Sequence, residues 1–239
     1  GTTELVKGFR REELATYMAD HYKAEQMVVA VSGNFDRAEL IKHVEDQFSD
    51  LEHTRQIPKE GAAYQGGSYL RDRKLEQVMS MILGGGMSSR LFQEVRETRG
   101  LVYSIYSFMQ SYLDGGSFAI HAGTGPEQVR ELIPVVAEEM HKMSHHVGTE
   151  EVNRARAQMK AGLLMSLEST TNRMEQLGRQ MMIFGKPISH EDIVEKIDQV
   201  DATAIMRFTD RLLNDNKLSL AAVGPLGHLD DYDKIAALF

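Results

Sequence analysis

Apolar residues recur at helical spacing along most of this chain, and short apolar runs bounded by glycine and asparagine interrupt them. Residues 10–22 place Leu14, Tyr17 and Met18 on one helical face. Residues 27–31 form a continuous apolar run ended by Ser32, Gly33 and Asn34, the pattern of a buried strand entering a turn. Asp36 stands where a carboxylate caps the next helix, whose inward positions are Leu40, Ile41, Val44 and Phe48. Residues 53–66 turn polar and lose all periodicity around Pro58, so they read as a linker between residues 1–52 and residues 67–239.

Beyond the linker, strand and helix alternate. A strand is expected over residues 68–73, then an apolar helix ending at Leu83 and released by Gly84, Gly85 and Gly86, because glycine tolerates left-handed conformations. Ser88 or Ser89 caps a second helix carrying Leu91, Phe92 and Val95, and Gly100 closes it. Residues 101–108 alternate like a strand with one buried face; residues 101–113 return through Asp114, Gly115 and Gly116 into residues 117–122 as a hairpin. Residues 127–146 form a helix with Leu132, Val135, Val136, Met140 and Met143 inward. Thr149 opens a second long helix that runs to Phe184. Ser189 caps further helix to Leu213, and residues 218–223 read as a strand ending at Gly224 and Pro225. The helix, turn and apolar run around Val28–Gly33 recurs around Leu220–Gly224, as two homologous lobes in tandem would leave behind.

Composition narrows the function classes. A net charge of −8 with no clustered basic face argues against nucleic acid as a partner. No apolar run is long enough for a membrane-spanning helix, so no membrane is expected as a partner. The absence of cysteine excludes disulfides, thiol catalysis and thiolate-bound metal. The first five residues have neither a basic start nor an apolar core, so no signal peptide is expected in them. The compartment stays open, with the cytoplasm favoured.

The segment Gly84-Gly-Gly-Met-Ser-Ser-Arg-Leu-Phe-Gln-Glu-Val-Arg-Glu-Thr-Arg-Gly-Leu-Val-Tyr103 resembles the zinc-free half of the pitrilysin and insulinase-type zinc metallopeptidases, which include the mitochondrial processing peptidases. The segment from His21 to Asn34 is similar to the last strand of that family's first lobe, and Ser166 to Met174 to a long-helix segment of its second. The resemblance implies an α+β fold, mostly antiparallel sheet flanked by helices. Residues 1–52 would be the tail of a first lobe and residues 67–239 the C-terminal lobe. It implies zinc in the full enzyme, bound by an inverted His-x-x-Glu-His motif in the N-terminal lobe, which is therefore a partner along with a peptide substrate. A dimer is a further expectation. Neither His-x-x-Glu-His nor His-Glu-x-x-His occurs in this chain, so this segment alone should not hydrolyse peptides. The alternative within the same family is a non-catalytic subunit that binds peptides or serves as a scaffold. Between Gln77 and Val78 the family usually carries a second strand, a turn and a helix start, roughly 20 residues at ordinary element lengths.

The resemblance assigns catalytic roles to Arg96 and Tyr103, which would position substrate and stabilise negative charge developing on the scissile carbonyl oxygen. By residue type alone, Tyr103 reads as a strand residue facing the core and Arg96 as a solvated helix residue. His141 and His145, with Glu138 on the same helical face, have zinc-compatible spacing but no specified third ligand, so they read as a solvated helix C-terminus and no metal site is expected in this segment. Met159, Met165, Met174, Met181 and Met182 lie along one helix and read as core filler rather than a binding surface.

Overall fold

The computed structural model describes residues 2–51, 73–112, 116–214 and 217–239. In chain order its helices are α1 (Thr3–Gly8), α2 (Arg11–His21), α3 (Arg37–Phe48), α4 (Arg73–Gly84), α5 (Val129–His145), α6 (Thr149–Ser166), α7 (Thr170–Phe184), α8 (His190–Asp198), α9 (Ala202–Asn214) and α10 (Tyr232–Ala236). A π-helix, Phe92–Thr98, precedes strands β1 (Val102–Ser111) and β2 (Gly116–Thr124). The chain divides into two compact units, one of Gly1–Glu60 with Ser166–Pro187 and one of Gly61–Met165 with Ile188–Phe239.

The first unit shows its helix caps clearly. The Asp36 carboxylate accepts from Glu39 N–H at 2.9 Å, as expected for the start of α3. The Glu13 carboxylate reaches back to Arg10 N–H at 2.9 Å and ties the start of α2. Ser169 accepts from Asn172 N–H to open α7, and Gly185, with φ near 69°, closes it. Within this unit α7 approaches the residue 27–32 segment, where a Cβ on Gly178 would stand 3.4 Å from the Ala30 methyl.

Two expectations fail here. Residues 27–31 belong to no helix and pair with no strand among the described residues, and Val28, Val29 and Val31 are exposed. Leu14, Tyr17 and Met18 share that exposure, so the apolar face of α2 has no cover among the described residues of the unit. An apolar run specifies burial, but burial needs a partner surface. The expected single helix from Thr149 to Phe184 is also two, because the chain turns at Leu167 and Glu168 and Ser169 caps a new helix instead of continuing the old one.

The second unit holds the hydrophobic core. Leu75, Val78, Met79, Ile82 and Leu83 of α4 share one buried cluster with Leu132, Val135, Val136, Met140 and Met143 of α5, the face that the periodicity of residues 127–146 anticipates. Ile193 and Ile197 of α8 and Ile205, Phe208 and Leu213 of α9 complete the cluster. Each such side chain contributes about 1.5–3 kcal/mol relative to exposure. The Ser189 hydroxyl caps α8 through Asp192 N–H at 3.0 Å. α4 runs unbroken through Gln77 and Val78.

β1 and β2 pair antiparallel, and among the described residues they form a two-stranded sheet. Residues 218–223 have no strand pairing among those residues, with Val223 fully exposed, contrary to the strand expected there. The expected strand over residues 68–73 and the hairpin tip at Asp114 and Gly115 fall outside the described residues, except that Arg73 begins α4.

Candidate functional site

The glycine triplet has a different reason from the one the sequence offers. None of Gly84, Gly85 and Gly86 adopts a positive φ. A Cβ on Gly84 would lie 2.5 Å from Ser107 N and 2.8 Å from Ser107 Oγ, and one on Gly85 would lie 2.5 Å from Met81 Cα. The absent side chains let the end of α4 meet the backbone of β1 directly. Below that crossing, the Ser107 hydroxyl donates to Ser80 O at 2.8 Å and pairs with Ser80 Oγ at 2.9 Å, both groups being buried. β1 is therefore fastened to α4 four residues beyond Tyr103.

Past the glycines, Ser89 does not cap as expected. Its hydroxyl donates to Gly86 O at 2.6 Å and so tightens the turn, while the Gln93 amide donates to Met87 O at 2.6 Å. A helical turn at Arg90 and Leu91 then widens into the π-helix Phe92–Thr98, where Arg99 N–H reaches Glu94 O, five residues back. Leu91 and Val95 are fully buried and anchor its inner side. Gly100, at φ 62°, closes it as predicted, and Leu101 N–H reaches Val95 O at 2.9 Å, one residue wider than the usual α-helix closure. π-helices are rare and occur often at functional sites.

The π-helix and the residues that flank it carry three arginines in different circumstances. Arg90 lies against the Glu151 carboxylate at 2.7 Å. Arg99 contacts Glu94 at 2.9 Å and Glu131 at 3.4 Å, and its hydrogen bond to Glu94 raises its affinity for the proton. Arg96 is exposed, and its guanidinium stands 4.6 Å from the centre of the Phe92 ring. That ring orients the fork without neutralising its charge.

The second irregularity lies at Tyr103. Val102 pairs with Thr124 and Ser104 with Gly123, so Tyr103 is an extra residue inserted into the ladder as a β-bulge. Strict alternation would turn Tyr103 to the same face as Ile105, into the core. The bulge turns it out instead, and it is 83% exposed while Val102 and Ile105 are buried. The core-facing reading of Tyr103 is thereby overturned. Beyond it the outer face carries Tyr106, stacked on His121 with ring centres 5.0 Å apart. Arg96 and Tyr103 thus both reach solvent, each from a backbone irregularity, on two elements joined by the Gly100 turn.

The histidine pair on α5 gathers no third ligand. His141 Nε2 lies 3.0 Å from Leu238 O, and no group of three potential metal ligands occurs among the described residues. The methionines divide: Met159 packs against the core, whereas Met165 and Met182 are exposed, contrary to a uniform filler role.

The model of the peptidase M16 inactive domain matches residues 8–76 and 62–159. The chain belongs to the M16 peptidase family. A Rickettsia bellii protein named as an uncharacterized zinc protease is 32% identical to this M16 chain over 247 residues, covering 94% of the chain and 60% of that protein. The Bacillus subtilis uncharacterized zinc protease YmxG is 31% identical over 252 residues, covering 96% and 61%. This M16 chain therefore spans about three fifths of the length of these relatives. Among solved structures, a chain of Complex III2 from Candida albicans, Inz-5 bound, superposes with a TM-score of 0.81 at 19% identity, covering 100% of this chain and 64% of that one. A protease from Helicobacter pylori gives 0.74 at 14% identity, covering 88% and 58%. The expected family and fold class stand.

Sequence reasoning passed over Arg90 and Glu151. They are 61 positions apart, and no local spacing connects them.

Proposed function

We propose that this chain is the zinc-free lobe of a zinc metalloendopeptidase, closing over an extended peptide held at a zinc site in the N-terminal lobe. The observation that carries the reading is the paired irregularity: a π-helix and a β-bulge present Arg96 and Tyr103 to solvent within seven residues of each other. The relatives named as zinc proteases support zinc in the complete enzyme. On this reading the ligands belong to the other lobe, where the resemblance puts the inverted zinc motif. Zinc bound there supplies the Lewis acid that generates a nucleophile from water.

This chain's own groups act on the peptide. The Tyr103 hydroxyl donates a hydrogen bond to the scissile carbonyl oxygen, and the bond strengthens as that oxygen gains charge. Arg96 forks onto a peptide carbonyl or carboxylate and fixes the strand's register. Residues 1–52 are the tail of the N-terminal lobe, residues 53–66 the linker and residues 67–239 the C-terminal lobe. The uncovered faces of Leu14, Tyr17, Met18, Val28 and Val29 support this, since they would pack against the rest of the first lobe.

In the complete protein, Tyr103→Phe lowers kcat about 10²-fold, the usual effect of removing one oxyanion donor, and leaves zinc content unchanged. Unaltered kcat removes Tyr103 from the mechanism. A second reading, a non-catalytic subunit, draws on the likeness to a Complex III2 chain. A complete protein that binds zinc but cleaves no peptide, or lacks the zinc motif, favours that reading.

A further inference from the structure

We propose that Arg90 and Glu151 form a positioning pair that sets where the Arg96 guanidinium stands during peptide cleavage; the inference rests on the role given to Arg96 above. Arg90 Nε donates to Glu151 Oε1 at 2.8 Å and Nη2 donates to Oε2 at 2.7 Å, a bidentate fork. Nη2 also donates to His146 O at 2.8 Å, and Gly148 N–H donates to Glu151 Oε2 at 2.9 Å. The side chains of Arg90 and Glu151 are only 14% and 24% exposed. The network joins the entry of the π-helix to the α5–α6 turn and the first turn of α6.

Its position is what gives it a role in catalysis. A π-helix is an unfavourable conformation that neighbouring structure must hold in place. Leu91 and Val95, both fully buried, fix its inner side by apolar packing, which is not directional. At the far end Arg99 is bound mainly to Glu94 of its own helix and to the exposed Glu131, and such surface pairs constrain little. The Arg90 fork is the directional contact from outside. Its planar, two-bonded geometry fixes the angle at which the helix starts, and Arg96 follows six residues later. Buried pairs of this kind add modest net stability, so their principal effect is on geometry.

The test is a double-mutant cycle in the complete enzyme, zinc lobe included. It uses one internally quenched peptide selected from an unstructured peptide pool, at a temperature where circular dichroism shows every variant folded. Glu151→Gln keeps the shape of the side chain and removes its charge. Arg90→Lys keeps the charge and removes the fork. Each lowers kcat/KM about tenfold, within the range that an ångström-scale misplacement produces, and divides the loss between kcat and KM as Arg96→Ala does. On the Arg96→Ala background, Glu151→Gln changes kcat/KM by less than about twofold, since its effect passes through Arg96. If Arg96→Ala itself changes nothing, the reading of the site fails and this inference falls with it. If Arg96→Ala is impaired while Glu151→Gln and Arg90→Lys are normal, the site reading survives and the positioning role is overturned. Losses that multiply in the double variant overturn it as well.

Discussion

Replacing Gly84 with alanine pits two effects of opposite sign against each other, and the structure says which wins. Alanine favours a helix over glycine by about 1 kcal/mol. At Gly84, the last residue of α4, the new methyl would sit 2.5 Å from the backbone nitrogen of Ser107, and backbone cannot swing aside. Overpacking of that kind costs about 1–3 kcal/mol. The net expectation is a loss of up to about 2 kcal/mol, confined to α4 and β1. Gly162, inside α6, supplies the control, because a methyl there meets nothing within 4 Å. Gly162→Ala should gain about 0.5–1 kcal/mol from the same propensity term and a less flexible unfolded chain. Native-state amide exchange on the complete protein reads both changes locally: opening free energies fall across α4 and β1 in the first variant and rise across α6 in the second. Equal or greater protection of α4 and β1 in Gly84→Ala would refute the claim that the triplet exists for close approach.

Two further expectations follow from the same unit. Ser107→Ala removes both buried hydrogen bonds to Ser80 and should cost about 1–3 kcal/mol; undiminished exchange protection in β1 would mean that the serine pair does not fasten it to α4. The Arg90 guanidinium, helped by Gly148 N–H and opposed by partial burial, holds the Glu151 carboxyl below its ordinary value of 4.5. A depressed native value means that its contribution is complete above that ordinary value and is lost as pH falls through the depressed one. The melting-temperature gap between the natural protein and Glu151→Gln should therefore be constant from pH 8 to pH 6 and close on acidification below about 4.5; a gap that persists there contradicts the ion pair.

Local chemistry was the legible part of this chain. Asp36, Ser189 and Gly100 act as read because caps depend on a few adjacent residues, and α5 buries the face its periodicity specifies. Residues 27–31 and 218–223 failed for a different reason. An apolar run encodes a wish to be covered but not the surface that covers it, so no local reading distinguishes a strand in a sheet from an extended segment. The glycine triplet misled in a third way. Its composition is equally suited to a left-handed turn and to backbone contact, and only the position of Ser107 decides between them.

The site itself lies where period-based reading breaks down, and the two failures have one cause. Leu91 and Val95 stand four apart, as in any α-helix, so nothing in the apolar spacing announces the widened register that carries Arg96. Read as a regular strand, residues 101, 103, 105 and 107 share one face, and that period assigns Tyr103 to the core beside Leu101 and Ile105. The inserted residue between the Val102 and Ser104 pairings reverses its direction while leaving the pattern intact. A π-turn and a bulge each add one residue to a regular element, re-aiming a side chain without altering the hydrophobic spacing that flanks it. Their cost must be met by contacts distant in sequence, here Ser80 with Ser107 and Arg90 with Glu151. Residues displaced in this manner are invisible to any window shorter than those separations, which is why Arg96 and Tyr103, the residues proposed to act on the peptide, were picked out only by the resemblance of the whole segment.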